Sequence, residues 1–205
     1  MDFSTWLAFL LAATLIAVSP GPGAAASMSA GLRHGYRMAL RAIGGLQSAL
    51  LIQLAVVAGG LGALLTASAA AFNLLKLLGA GYLIWLGVQK WRETPHAPGG
   101  EQTAVRPENL FAQGLLVNLT NPKAIVFMAA LIPQFIDPAR PQWPQFLIIG
   151  ATMCGIDVVV MSGYALLAAR ARRWLRDARA LRAQNRFFGG VFIGAGILLA
   201  ASERN

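Results

Sequence analysis

The chain has 205 residues, of which 57% are hydrophobic and only 12% charged, with a formal net charge of +9. Soluble domains carry about 25% charged residues, so this composition excludes a disordered chain, an ordinary water-soluble enzyme and a small disulfide scaffold. A membrane-crossing helix needs ~20 mostly apolar residues, and six would occupy ~120 positions, close to the apolar share of the chain. Apolar runs separated by short polar breaks predict spans near 4–28, 40–65, 70–91, 110–133, 145–169 and 187–203. Each must be helical, because lipid offers no partners for backbone amides. Uninterrupted stretches such as Leu50-Leu51-Ile52 lack the alternation of a β-barrel strand. Only Asp2 precedes the first run, where a cleavable signal would have a basic segment, so the first span reads as retained.

In chain order, the first span contains the break Ser19-Pro20-Gly21-Pro22-Gly23. Arg33, Arg37 and Arg41 follow it, ahead of a second span that carries Gln47 and Gln53. Lys76, Phe72 and Asn73 mark the outer end of the third. A Pro-, Gly- and acid-rich stretch, 93–109, reads as a cytoplasmic linker between halves 1–92 and 110–205 of a single membrane domain. The fourth span holds Asn118, Thr120, Asn121, Pro122 and Lys123; the fifth holds Cys154 and Asp157. An arginine-rich stretch, 170–186, with Trp174 as an interfacial anchor, reads either as a helix at the membrane surface or as a solvated loop. The last span is short.

Sorting the charge gives an orientation. Thirteen of the seventeen basic residues fall in the first, third and fifth loops or at the span ends that adjoin them, Lys76, Arg140 and Arg204 fall on the other side, and Lys123 lies within a span. The positive-inside rule makes the basic loops cytoplasmic and puts both termini outside. The excess charge is therefore an orientation signal with anionic-lipid contact, not a nucleic-acid footprint. Cys154 has no partner in the chain, and His34 and His96 are too far apart for a metal cluster, so neither a disulfide nor a metal or other cofactor is expected.

The halves carry a trace of internal repetition. Pro20 and Pro122 are 102 residues apart, and the same offset carries 40–65 onto 142–167. Three spans per half make the repeat inverted, a plan common among secondary transporters. A proline removes the hydrogen bond to the carbonyl four residues back. Pro20 thus frees the carbonyl of Ile16, Pro22 that of Val18 and Pro122 that of Asn118. Released carbonyls favour an ammonium or a cation, and a following half-helix favours a carboxylate. An amino-acid zwitterion carries both. Two proline kinks that only shape helix packing are the plainer reading; their matching positions favour a binding site. Ser19, Pro20, Gly21, Pro22 and Gly23, with Gln47, Asn118, Thr120, Asn121 and Pro122, are the candidate substrate-binding residues.

Ionisable residues at depth are costly and tend to be functional. The turn between spans four and five centres on residue 139; Lys123 lies 16 residues before it and Asp157 18 after, at similar depth on adjacent helices. They are the candidates for proton coupling, either as an ion pair or by engaging substrate and proton in turn. Gln53 reads as a helix-to-helix hydrogen bonder, and Tyr82, Trp85 and Tyr164 as packing or interface residues. Gly190 and Gly194 permit close helix approach and leave oligomerisation open.

These motifs resemble the LysE/RhtB family of amino-acid exporters. The carriers are Ser19-Pro20-Gly21-Pro22-Gly23, the stretch Leu78-Gly79-Ala80-Gly81-Tyr82-Leu83-Ile84-Trp85-Leu86-Gly87, and Val117-Asn118-Leu119-Thr120-Asn121-Pro122-Lys123. Closer matches are Gly44-Gly45-Leu46-Gln47, Ile132-Pro133-Gln134-Phe135-Ile136 and the run from Asp157 to Tyr164. Many members have Asp where this chain has Gly23, a departure that leaves Asp157 as the one acidic residue deep in a predicted span. The resemblance implies export of small amino acids from the bacterial cytoplasm, with homoserine, its lactone and threonine as substrates and protons as the driving ion.

Other functions fit less well. A metal exporter needs clustered ligands at depth, and Asp157 stands alone there. An intramembrane hydrolase needs a base beside its nucleophile, but both histidines fall in predicted loops. There is no phosphate-cradling loop for ATP, and a scaffold needs neither midplane breaks nor a buried acid. The expectation is a secondary exporter, not an enzyme, working by alternating access as its two halves rock.

Overall fold

The computed structural model describes residues 1–67, 69–92, 106–170 and 178–201. Among these residues the secondary structure is entirely helical. α1 (Phe3–Val18) and α2 (Pro22–His34) are separated by the first proline break and meet at 53°. α3 (Tyr36–Ala67) and α4 (Ala69–Arg92) are long and unbroken. A single 3-10 turn, Pro107–Asn109, leads into α5 (Leu110–Leu119), and α6 (Pro122–Val126) follows the second break. A π turn (Phe127–Leu131) and a 3-10 turn (Ile132–Phe135) prolong α6, and the two segments meet at 51°. α7 (Gln142–Arg170) and α8 (Ala178–Ala201) complete the chain.

Local chemistry sets these boundaries. The Asp2 carboxylate caps α1 by accepting from the Thr5 amide at 2.8 Å. Pro20 ends that helix, and Pro22 opens α2 at a position where a missing N–H costs nothing. α2 runs six residues beyond the expected end at 28, because Met28–Gly31 are buried and only Gly35, at φ +78°, stops it. Asn121 caps α6 through its own side chain, which accepts from the Lys123 amide at 3.1 Å. α8 begins nine residues before the expected 187, so the part of the arginine-rich stretch from 178 onward is a helical extension of the last span. The 93–105 linker and Trp174 lie outside the described residues.

α3 (over Tyr36–Gly60) and α7 are each long and apolar enough to cross a membrane alone, with mean hydropathy 1.7 and 1.9. Each bent pair passes the same test as one span. The surface agrees: Phe3, Leu7, Leu11, Leu15 and Val18 form an exposed apolar stripe along α1, and Leu147, Ile148, Val158 and Val159 do so on α7. Water would penalise such stripes, whereas lipid would not. The protein is an all-helical membrane protein.

Inside, small residues let backbones meet. A Cβ on Gly45 would run into the Phe111 carbonyl, and one on Gly114 into the Ala42 carbonyl, so α3 and α5 are pressed together reciprocally. Gly31 of α2 rides on the Ala165 carbonyl of α7 in the same way, and Gly87 and Gly189 bring α4 against α8. All three contacts, the most extensive in the molecule, join the first half of the chain to the second.

Candidate functional site

Each of the three carbonyls that Pro20, Pro22 and Pro122 release is taken by a side chain from elsewhere in the chain. The Lys123 ammonium donates to the Ile16 carbonyl at 2.9 Å and to the neighbouring Ser19 carbonyl at 2.7 Å. The Tyr164 hydroxyl donates to the Val18 carbonyl at 2.6 Å. Gln53 Nε2 donates to the Asn118 carbonyl at 2.9 Å, which the Asn121 amide also reaches at 3.1 Å. Backbone acceptors left without partners at depth are costly, so these bonds are what lets the breaks exist.

The second break is knitted further. Asn118 is buried and sends its Nδ2 to the Leu46 carbonyl of α3 at 2.9 Å, while its Oδ1 accepts from Asn121 Nδ2 at 3.3 Å. Between α3 and α7, Gln47 Nε2 donates to Asp157 Oδ2 at 2.5 Å. The other amide oxygen, Gln47 Oε1, is buried and has no hydrogen-bond partner among the described residues; the same is true of Gln53 Oε1.

Between the breaks lies a cavity of about 70 Å³. Of the residues expected from sequence, Gly21, Gly23, Asn118, Asn121, Lys123 and Asp157 line it. Lys123 and Asp157 thus share one chamber, as their matching depths predict. The helices supply regular stripes: Leu46, Leu50 and Gln53 from α3, and Met153, Asp157 and Met161 from α7. These spacings of three and four residues fall on one helix face. The rest of the lining is largely apolar and includes Phe127 and Met128.

The other expected residues stand apart from the cavity wall. Ser19 is fully buried, with its hydroxyl unpartnered among the described residues, and it contributes its carbonyl. Pro20 and Pro22 act by the hydrogen bonds they remove, and Pro122 is exposed at the start of α6. Gln47 sits behind Asp157 as its partner. Thr120 is exposed, and its hydroxyl bonds back to the Leu116 carbonyl at 2.8 Å, so it is not brought to the cavity. Two contributors go beyond the sequence reading. Gln53 lines the cavity as well as bridging helices, and Tyr164 closes the first break rather than serving only as packing. Tyr164 lies seven residues, about two turns, after Asp157, and that register was the available signal.

A bundle with an apolar surface, two helices broken at proline and a chamber holding one acid and one base is the architecture of a membrane transporter, not of an enzyme. The LysE type translocator family model matches residues 14–203, and the chain belongs to that family. It is 47% identical over 207 residues to the homoserine/homoserine lactone efflux protein of Salmonella typhimurium, covering 99% of both chains. It is 46% identical over 204 residues to an uncharacterized membrane protein of Vibrio cholerae, covering 99% of this chain and 100% of that one. A leucine efflux protein of Enterobacter is 29% identical over 201 residues, covering 94% of this chain and 93% of its own. No solved structure matches the chain.

Proposed function

We propose that this protein is a secondary exporter of small amino acids, taking homoserine, homoserine lactone and threonine out of the bacterial cytoplasm across the inner membrane. The observation that carries the reading is that both proline breaks open onto one chamber containing Lys123 and Asp157. One positive and one negative group leave the chamber without net charge, so a zwitterion enters without adding any. The similarity to the Salmonella efflux protein over the whole chain supports the substrate class.

The full topology we infer is six spans in a 3+3 inverted repeat, with α4 and α8 as the third and sixth and both termini outside. Two bends of nearly equal size at equivalent places in the two halves support it. In this reading α1 and α2 answer to α5 and α6, α3 to α7, and α4 to α8. Rocking the halves as bodies would tear apart the three glycine-backed contacts that join them, so we place the hinges at the breaks instead. There no helical ladder has to be broken for a segment to swing.

Asp157 is the proton carrier in this scheme. As a carboxylate it accepts from Gln47 Nε2. Once protonated it can donate to Gln47 Oε1, the unpartnered oxygen of the same amide, after a flip. One glutamine thereby serves both protonation states. Efflux of labelled homoserine, threonine, leucine and lysine from cells with and without the gene tests the function. Faster loss of homoserine and threonine is expected in expressing cells; equal retention of all four would overturn the amino-acid exporter reading.

A further inference from the structure

Lys123 ends in the same chemical group that every α-amino acid carries, a primary ammonium. That group sits on a main-chain acceptor pair, 2.9 Å from the Ile16 carbonyl and 2.7 Å from the Ser19 carbonyl. Both acceptors exist because the helix breaks at Pro20. A methyl group on Gly21 would stand 3.3 Å from Lys123 Nζ, so the absence of a side chain there leaves room for a cation. Ile16, Gly21 and Lys123 all line the cavity, so the position of the ammonium that bridges the Ile16 and Ser19 carbonyls is reached from the space a solute would occupy. The ammonium is carried on a flexible four-carbon stem that can withdraw it.

We propose that the Ile16–Ser19 carbonyl pair is a primary-ammonium subsite, with Lys123 as its tethered occupant here, and that a substrate's α-ammonium takes the pair when Lys123 swings away. This rests on the reading that the cavity accepts an amino acid, and it names the part of the substrate recognised. Exchanging one ammonium for another keeps the carbonyls paired throughout. The displaced lysine is then free to meet the Asp157 carboxylate or the substrate's own carboxylate in the same chamber. Solutes with a free primary amine qualify even without a carboxylate, as in a lactone or an ester; N-acylated ones do not.

The test is binding, read without transport. Full-length Lys123→Ala protein, purified in detergent, is unfolded thermally with and without n-propylammonium, with tetramethylammonium as the control. A saturable rise of about 3 °C or more in the variant with n-propylammonium is expected, because a ligand bound only by the folded state stabilises it. Wild-type protein, in which the tethered ammonium competes for the pair, should respond clearly less, and neither protein should respond to tetramethylammonium. No rise in the variant, or an equal rise in wild type or with tetramethylammonium, would overturn the proposal. Should the alanine variant not fold, Lys123→Met keeps the length of the stem and opens only the ammonium's own position. Methylammonium then replaces propylammonium, with a rise supporting the subsite and no rise overturning it. A failed homoserine efflux assay would leave this measurement untouched, so the two readings fail separately.

Discussion

The two broken spans bend by almost the same angle, 53° and 51°, yet they are held in different ways. The second break largely closes on itself. Asn121 caps the following helix, bonds Asn118 and supplies its amide to the freed carbonyl, and Gln53 adds one bond from α3. The first break has no side-chain cap, since Gly21 occupies that position. Its carbonyls depend on Lys123 and Tyr164, both from the other half of the chain. A locally satisfied break persists whatever its neighbours do. A break satisfied from a distance is stable only while those neighbours stay, which makes it the part of the site that can open. In the proposed transport cycle the first break would then be the moving gate and the second the fixed reference.

Substitutions can break or sharpen that contrast. Lys123→Met should have the largest effect, because it strips two bonds from a charged donor at the first break. A loss of roughly 2–4 kcal/mol is expected, partly offset by no longer burying an ammonium, and is read by denaturant unfolding in detergent. Asn121→Ala removes the cap of the second break and should cost ~1 kcal/mol in the same assay. An equal or larger loss at Asn121 would erase the proposed asymmetry. Tyr164→Phe removes one neutral bond, again ~1 kcal/mol or less. Its sharper readout is hydrogen exchange, which should quicken at the start of α2 while α6 stays as it was.

The smallest effect lies at the far end of α1, away from both breaks. Hydrogen bonds from Thr5, then from Ser4, pull the Asp2 carboxyl down to about 2 from its usual 3.8. A lowered value means that the cap stabilises the folded state above pH 3.8 and is lost as the pH falls toward 2. Acidification through that window should fray the first turn of α1, detectable by amide exchange at Thr5, and leave the breaks alone.

The breaks were legible in the sequence because proline chemistry is local. Pro20, Pro22 and Pro122 each name the carbonyl they release, and all three of those carbonyls are engaged by side chains in the structure. Which side chains would come was not legible, since Lys123 and Tyr164 arrive from 107 and 146 residues away. Depth arithmetic put Lys123 and Asp157 in one layer, but it could not tell that Gln47 would stand behind Asp157 or that Thr120 would turn back on its own helix. Helix ends moved for a similar reason. The apolar pattern ends the first span at Met28, whereas burial of Ser29, Ala30 and Gly31 among other helices lets α2 continue to His34, with Gly35 as its cap. The interlocking of the halves rests on Gly31, Gly45 and Gly114, whose partners are carbonyls that no pattern in the sequence announces.

The central claim is that Asp157 carries the proton in a chamber shared by both breaks. Its most direct test is homoserine transport by Asp157→Asn protein reconstituted in vesicles under an imposed pH gradient. Asparagine keeps the shape and an oxygen for Gln47 to bond, so the variant should insert, fold and still exchange homoserine across the membrane without a gradient. Gradient-driven accumulation should fall to the level of empty vesicles, and accumulation equal to wild type would contradict the account.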